Sequence, residues 1–338
     1  MDAQTPTPPT PVVWASDIEI SDLYRTRLTR TLRHAMAEVE AVLGPCGVDT
    51  VLVGGTPEAA LETLATHETD LQQAAGPQGG LWHSTATDTP MEVYQGACCT
   101  AHTRDNRKIV ALWFPKSVLV WLNADPKVEK HDGYQKESYG LLAHEMGHAK
   151  AHFEAYAPYV DPNNAEFWAN VADKDLYGTL ILTMSAFALS EFGAIRAETV
   201  FMQKKYGAYA FARSRIEGMG KELASMEQAA MQVMARDDEA EDPEDAITAM
   251  SAISKRIGYS LGVLAGYAAA NPTLESHKDD ARALLDTLFA ERPGILQAIA
   301  TAQAALSARM ALPTPHPPFH TDERLMEGFH DVIGCLFP

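Results

Sequence analysis

His144-Glu145-Met146-Gly147-His148 restricts this 338-residue chain more than any other segment. Two imidazoles four positions apart share a face only on a helical backbone, so the segment predicts a helix. On that helix both rings can reach one ion, and Glu145 lies beside the ion's remaining coordination position. With 12 His in the sequence, chance supplies roughly 0.03 such matches in a chain of this composition. A metal-carrying helix is the expectation. A decayed, metal-free site is the alternative.

The chain is long enough for one large body or two units. Its 46% hydrophobic and 21% charged residues are ordinary for a globular protein. A net charge of −18 argues against a nucleic-acid surface, which needs a basic patch, and against an anionic membrane. Solubility is the plain reading of that charge, although a basic protein substrate would be attracted. Cys46, Cys98, Cys99 and Cys335 form neither a CxxC knuckle nor a disulfide framework. Reduced thiols suit a cytoplasmic location, and a specialised secretion route is compatible with it. Residues 1–15 begin with a Pro/Thr tract that has neither a basic region nor an apolar core, so they read as a flexible tail and not a signal peptide. The most apolar stretch, residues 180–189, reads as too short to span a membrane.

Helical spacing of Leu28, Leu32, Ala35, Met36, Val39 and Leu43 predicts a helix over residues 22–43, stopped by Gly44-Pro45. Residues 48–53 read as a strand and residues 57–75 as a helix ended by a Gly/Pro cluster. Residues 81–123 read as strand-like, with runs at 109–114 and 118–122 split by Pro115. The motif helix is expected from about Glu137 to Ala155. A second helix follows at 165–173, and a long, buried one runs from 176 to about 206. Further helices are expected near 246–271, 274–290, 294–311 and 322–336. The acidic stretch 236–246 is either a hairpin loop or a subdomain boundary. The fold class is α+β: a small sheet with the motif helix in residues 16–206, then a helical region in 207–338.

A catalytic zinc set needs a third protein ligand after His148. Glu154, Asp161, Glu166, Asp173, Asp175, Glu191 and Glu198 are candidates. Glu154 lies six positions past His148, about 600° round the helix, and points away from the histidine face. Glu191 has the strongest physical case. It closes an apolar helical run, where an ionised carboxylate needs a partner, and a cation held by two histidines is one. An ordinary buried ion pair with Arg196 is the alternative. Glu198, seven residues on, shares its face as a ligand or an orienting group.

Leu142-Ala143-His144-Glu145-Met146-Gly147-His148-Ala149 resembles the AHExGH helix of gluzincin metallopeptidases. Ser190-Glu191-Phe192-Gly193-Ala194-Ile195-Arg196-Ala197-Glu198 resembles their second signature, a Glu followed three residues later by Ala. Residues 118–123 are similar to the segment leading into this helix in ImmA/IrrE-type peptidases, and some bacterial toxin-effector metallopeptidases share a similar Glu…Ala…Glu helix. The resemblance spans about residues 107–205. It implies a zincin-like fold, zinc held by His144, His148 and Glu191, and Glu145 as general base.

The expected function is therefore zinc-dependent hydrolysis of peptide bonds, a limited cleavage of a specific protein in a bacterial cytoplasm. Glu145 would take a proton from water at the ion and pass it to the leaving amine. Tyr139, His131, His152 and Arg196 are candidates to steady the oxyanion or to act from behind the ligands. His316 and His320 belong to a Pro-rich loop that could reach the site. A pseudo-peptidase that only binds a partner and a toxin-like effector protease are the rival expectations.

Overall fold

The computed structural model describes residues 10–55, 62, 97–102, 108–125, 127–154, 176–207, 210–211, 213–236, 243–270, 273–274, 280–314 and 316–337. Apart from residue 62, the helix expected at 57–75 lies outside them, as do the helix at 165–173 and the strand-like stretch 81–96. By its contacts the chain forms two compact units, Met1–Lys150 and Ala151–Pro338.

In the first unit, four strands form one sheet: β1 (Val12–Trp14), β2 (Thr50–Val53), β3 (Ala97–His102) and β4 (Lys108–Phe114). Their order is β1-β2-β4-β3, with β1, β2 and β4 parallel and β3 antiparallel to β4. Val51 pairs with Leu112, and both are fully buried. Every residue of β2 is buried, as is β4 from Ile109 to Phe114. Both faces of these inner parallel strands are covered, hence the unbroken apolar runs in place of alternation. Strand β1 corrects the tail reading for residues 12–14; residues 1–9 lie outside the described residues. Val12–Trp14 find hydrogen-bonding partners in β2, a non-local pairing that the Pro/Thr composition conceals.

Helix α1 (Asp22–Leu43) buries Leu28, Leu32, Ala35, Met36 and Val39, the expected stripe. The Ser21 side chain accepts from the Tyr24 N–H at its start, and Gly44, with φ 80°, ends it by donating to the Glu40 carbonyl.

The run 118–122 is not a strand. It lies in helix α2 (Lys116–Leu122). Pro115 cannot donate to a sheet ladder, and its extended backbone fits the position before a helix. Val118, Leu119 and Leu122 are then buried on one helical face, while Val120 and Trp121 are half-buried. The β-branched composition favoured a strand, and packing overrode it.

Helix α3 (Glu129–Phe153) carries the motif and starts two turns earlier than Glu137. Gln135, in this extra portion, donates through Nε2 to the Leu122 and Ala124 carbonyls at 3.3 and 2.9 Å. Leu122 is the last residue of α2 and Ala124 lies just past its C-cap Asn123, so the side chain ties down the end of one helix from another.

The second unit is built of helices α4 (Leu176–Tyr206), α5 (Arg213–Arg236), α6 (Pro243–Ala270), α7 (Ala281–Leu288), α8 (Pro293–Met310) and α9 (Glu323–Leu336). A two-stranded parallel ribbon, β5 (Ala210–Phe211) with β6 (Thr273–Leu274), interrupts the all-helical reading beyond Gly207. Helices α5 and α6, on either side of the acidic stretch, pack on each other within this unit.

Helix α4 packs on α6 more extensively than any other pair here. Gly258, Gly262 and Gly266 line one face of α6, and each approaches α4 too closely for a side chain. The segment Leu180–Tyr206 is long and apolar enough to cross a membrane by composition alone. The shorter reading of 180–189 missed this because it stopped at Glu191. It is a largely buried core helix in this fold.

Candidate metal centre

Leu142, Ala143, Met146 and Ala149 are fully buried on α3, which holds that stretch of helix in the interior. His144 is 6% exposed and His148 half-buried. One helical turn apart, their rings lie 4.9 Å between centroids and nearly perpendicular, with the two Nε2 atoms 3.2 Å from each other. On α4, Glu191 is 5% exposed, at the end of the apolar run. Ligand atoms of His144, His148 and Glu191 all lie within 4.8 Å of one another. No other group of three such side chains meets this criterion among the described residues.

This buried group can hold a metal ion. Two nitrogens bound to one tetrahedral ion at about 2.0–2.1 Å stand about 3.3–3.4 Å apart. The observed Nε2 separation of 3.2 Å is close to that. A carboxylate supplies the negative charge that a buried dication needs. Protein-family models, curated proteins and solved structures give no match to this chain. The metal reading rests on the donor atoms themselves.

Glu145 is 6% exposed, so the carboxylate beside the first histidine is also withdrawn from solvent. Among the other ligand candidates, Glu154 is half-buried, one residue beyond the end of α3, and is not part of the group. Asp161, Glu166, Asp173 and Asp175 lie outside the described residues.

The supporting candidates separate. Tyr139 donates its hydroxyl to Glu38 of α1 at 2.7 Å. It precedes His144 by five residues, about 500° of helix, so it faces away from the histidine side. Arg196 lies over the Phe192 ring at 5.7 Å and is half-buried. Glu198 is 2% exposed and meets Arg215 of α5 at 3.3 Å, which gives its buried charge a partner. His152 is half-buried on the last turn of α3. His131 packs edge-on against Trp121 at 5.7 Å. His316 lies near Arg309, Glu154 and Asp322.

Two contributors escape a reading of the sequence. Gly262 of α6 sits against Glu191: a Cβ there would meet the Glu191 Cβ at 2.8 Å and the Ala188 carbonyl oxygen at 2.4 Å. Tyr267, on the same helix, is fully buried with the Arg215 guanidinium over its ring at 5.7 Å. Burial pushes its phenol well above the ordinary value, Arg215 opposes, and Glu198 and Glu191 add to the rise. The glycine spacing 258-262-266 was a legible signal for close helix packing. Nothing in the sequence named the partner helix.

Proposed function

We propose that this chain is a zinc-dependent peptidase acting on a protein or peptide substrate, in a zincin-like arrangement of a small sheet and a motif-bearing helix. One observation carries the reading: two imidazole nitrogens at tetrahedral spacing share a buried site with a carboxylate, and Glu145 adjoins them. Imidazole with carboxylate suits zinc, whereas calcium and magnesium prefer oxygen alone.

His144, His148 and Glu191 would hold the ion. When bound, zinc supplies Lewis acidity, which lowers the pKa of a coordinated water toward about 7 and polarises a peptide carbonyl. Glu145 accepts the proton of the attacking water on its carboxylate and delivers it to the departing amine nitrogen. Its burial keeps bulk water from competing for that proton. A binding module would have no use for such a base, and the intact Glu145 favours an enzyme over a pseudo-peptidase.

The test combines metal content with cleavage of a quenched-fluorescence peptide library. Wild type should carry about one zinc per chain; Glu191→Ala should hold it less tightly, and His144→Ala should lose it. Glu145→Gln should keep the zinc while cleavage falls about 10²–10⁴-fold. Cleavage that survives Glu145→Gln would overturn the mechanism. Zinc bound without cleavage of any library member would favour the binding-module alternative.

A further inference from the structure

A cavity of about 440 Å³ opens in the first unit between α1, the end of α2 and α3. Among the described residues, Arg30, Thr31, His34, Leu122, Asn123, Ala124 and Tyr139 line it. From these residues we infer a binding site for a small phosphate monoester, separate from the metal centre and independent of the peptidase reading.

Charge is the first argument. The whole chain carries −18, yet among the described residues no carboxylate lines this cavity, while a guanidinium and an imidazole do. Arg30 and His34 stand one turn apart on α1, so both heads can converge on one anion. Neither makes a hydrogen bond or ion pair with any described residue. On the same helix, Arg27 is engaged by Asn123 and Arg33 by the Thr10 carbonyl, which leaves Arg30 as the guanidinium facing the cavity. An unpaired guanidinium beside an imidazole and an amide offers the donors that a phosphate accepts.

The hydrogen-bond pattern supplies the second. Asn123 Oδ1 accepts from Arg27 Nε and from Thr31 Oγ1, each at 3.1 Å. Its acceptor capacity is thereby used, which leaves the amide N–H groups as donors. The nearby backbone acceptors, the Leu122 and Ala124 carbonyls, are occupied by Gln135. Glu38, the neighbouring acid, accepts from the Tyr139 hydroxyl at 2.7 Å. Negative partial charge that would repel an anion is turned aside, and donors remain.

Size and apolar wall define the ligand class. The volume lies within the range of small-molecule sites and exceeds a bare phosphate's need. Leu122, Ala124 and the Tyr139 ring provide a surface for an organic group.

The test is isothermal titration of the full chain with phenyl phosphate, inorganic phosphate and benzoate. Phenyl phosphate should bind saturably, more tightly than inorganic phosphate and more tightly than benzoate. Arg30→Gln should weaken it at least about tenfold, and His34→Gln should weaken it measurably. Both side chains are exposed, and circular dichroism should show the variants folded. Lys204→Gln, an exposed residue of the second unit, removes the same charge as Arg30→Gln and should change affinity less than twofold. The inference is overturned by absence of saturable phosphate binding, by equal weakening in Lys204→Gln, or by binding indifferent to Arg30→Gln, as an anion held at a metal would be. Benzoate binding as tightly as phenyl phosphate overturns the ligand class.

Discussion

Gly262 touches the site through Glu191: a methyl group at Gly262 would stand 2.8 Å from the Glu191 Cβ, well inside contact distance. The same methyl would meet the Ala188 carbonyl at 2.4 Å, so α4 must shift to admit it. Overpacking of this kind costs about 1–3 kcal/mol. Gly258→Ala imposes a like clash one turn away, 2.4 Å from the Met184 carbonyl. Both variants should therefore lose stability in denaturant unfolding. Only Gly262→Ala should also lose zinc affinity, by roughly tenfold, because it moves a ligand's support. Equal zinc loss in the two variants would show that Gly262 has no special hold on Glu191.

Metal should stabilise the folded chain through the same three residues. A ligand that binds only the native state adds about 2.7 kcal/mol at a hundred times its Kd. Thermal unfolding with zinc and with a chelator should thus differ by several degrees in wild type. Glu145→Gln should keep the full difference, since Glu145 is not needed to hold the ion. Glu191→Ala should show a smaller one, and His148→Ala none. A zinc shift in His148→Ala as large as in wild type would place the ion elsewhere.

Some of these elements could be read from the residues alone, and the reason differs from case to case. Leu28, Leu32, Ala35, Met36 and Val39 repeat at helical spacing, so α1 was legible to its last residue. The long helix Leu176–Tyr206 was legible for a different reason, a long run apolar nearly all round, and Glu191 drew attention because it interrupts that run. Val118–Leu122 misled because valine favours strands, and only the burial of one face identifies a helix. Strand β1 depends on hydrogen bonds to β2, some 40 positions later, which local composition does not carry. Tyr139 is a candidate by residue type alone; five residues of helix before His144 turn it toward Glu38 instead. Gly262 was visible as composition, but a close approach exists only once its partner helix is known.

His316 gives the second unit a pH dependence whose sign is fixed. Burial pushes its imidazole below the ordinary 6.5, and Arg309 adds to the drop; Glu154 and Asp322 pull the other way. The folded chain therefore binds fewer protons than the unfolded one between its lowered pKa and 6.5. This contribution is fully present above 6.5 and is lost as pH falls through the folded pKa. Carboxylates elsewhere also respond to acid, so the comparison must be with His316→Gln. Urea unfolding of both proteins from pH 8 to pH 5 should show wild type losing the more stability. A difference that stays flat with pH would refute the assignment.

Arg309 and Asp322 hold the segment between α8 and α9 by a buried ion pair. The guanidinium is 1% exposed, meets Asp322 Oδ2 at 3.2 Å and donates to the Pro317 carbonyl at 2.7 Å. Asp322 also accepts from the Leu325 N–H at 3.1 Å through its other oxygen, which caps α9. One carboxylate thus serves a helix start and a buried cation. Asp322→Ala removes both roles and leaves the Arg309 charge buried without its counter-ion, a loss of about 3–5 kcal/mol. Arg309→Met removes the charge that needed compensation and keeps the α9 cap, so it should cost less. Asp322 is 9% exposed and can be rehydrated with little rearrangement. Chemical denaturation of the two variants should therefore rank Asp322→Ala below Arg309→Met, with Asp322→Asn between them because its amide oxygen still caps the helix. The reverse order would mean that the arginine stem, through its packing, matters more than the pair.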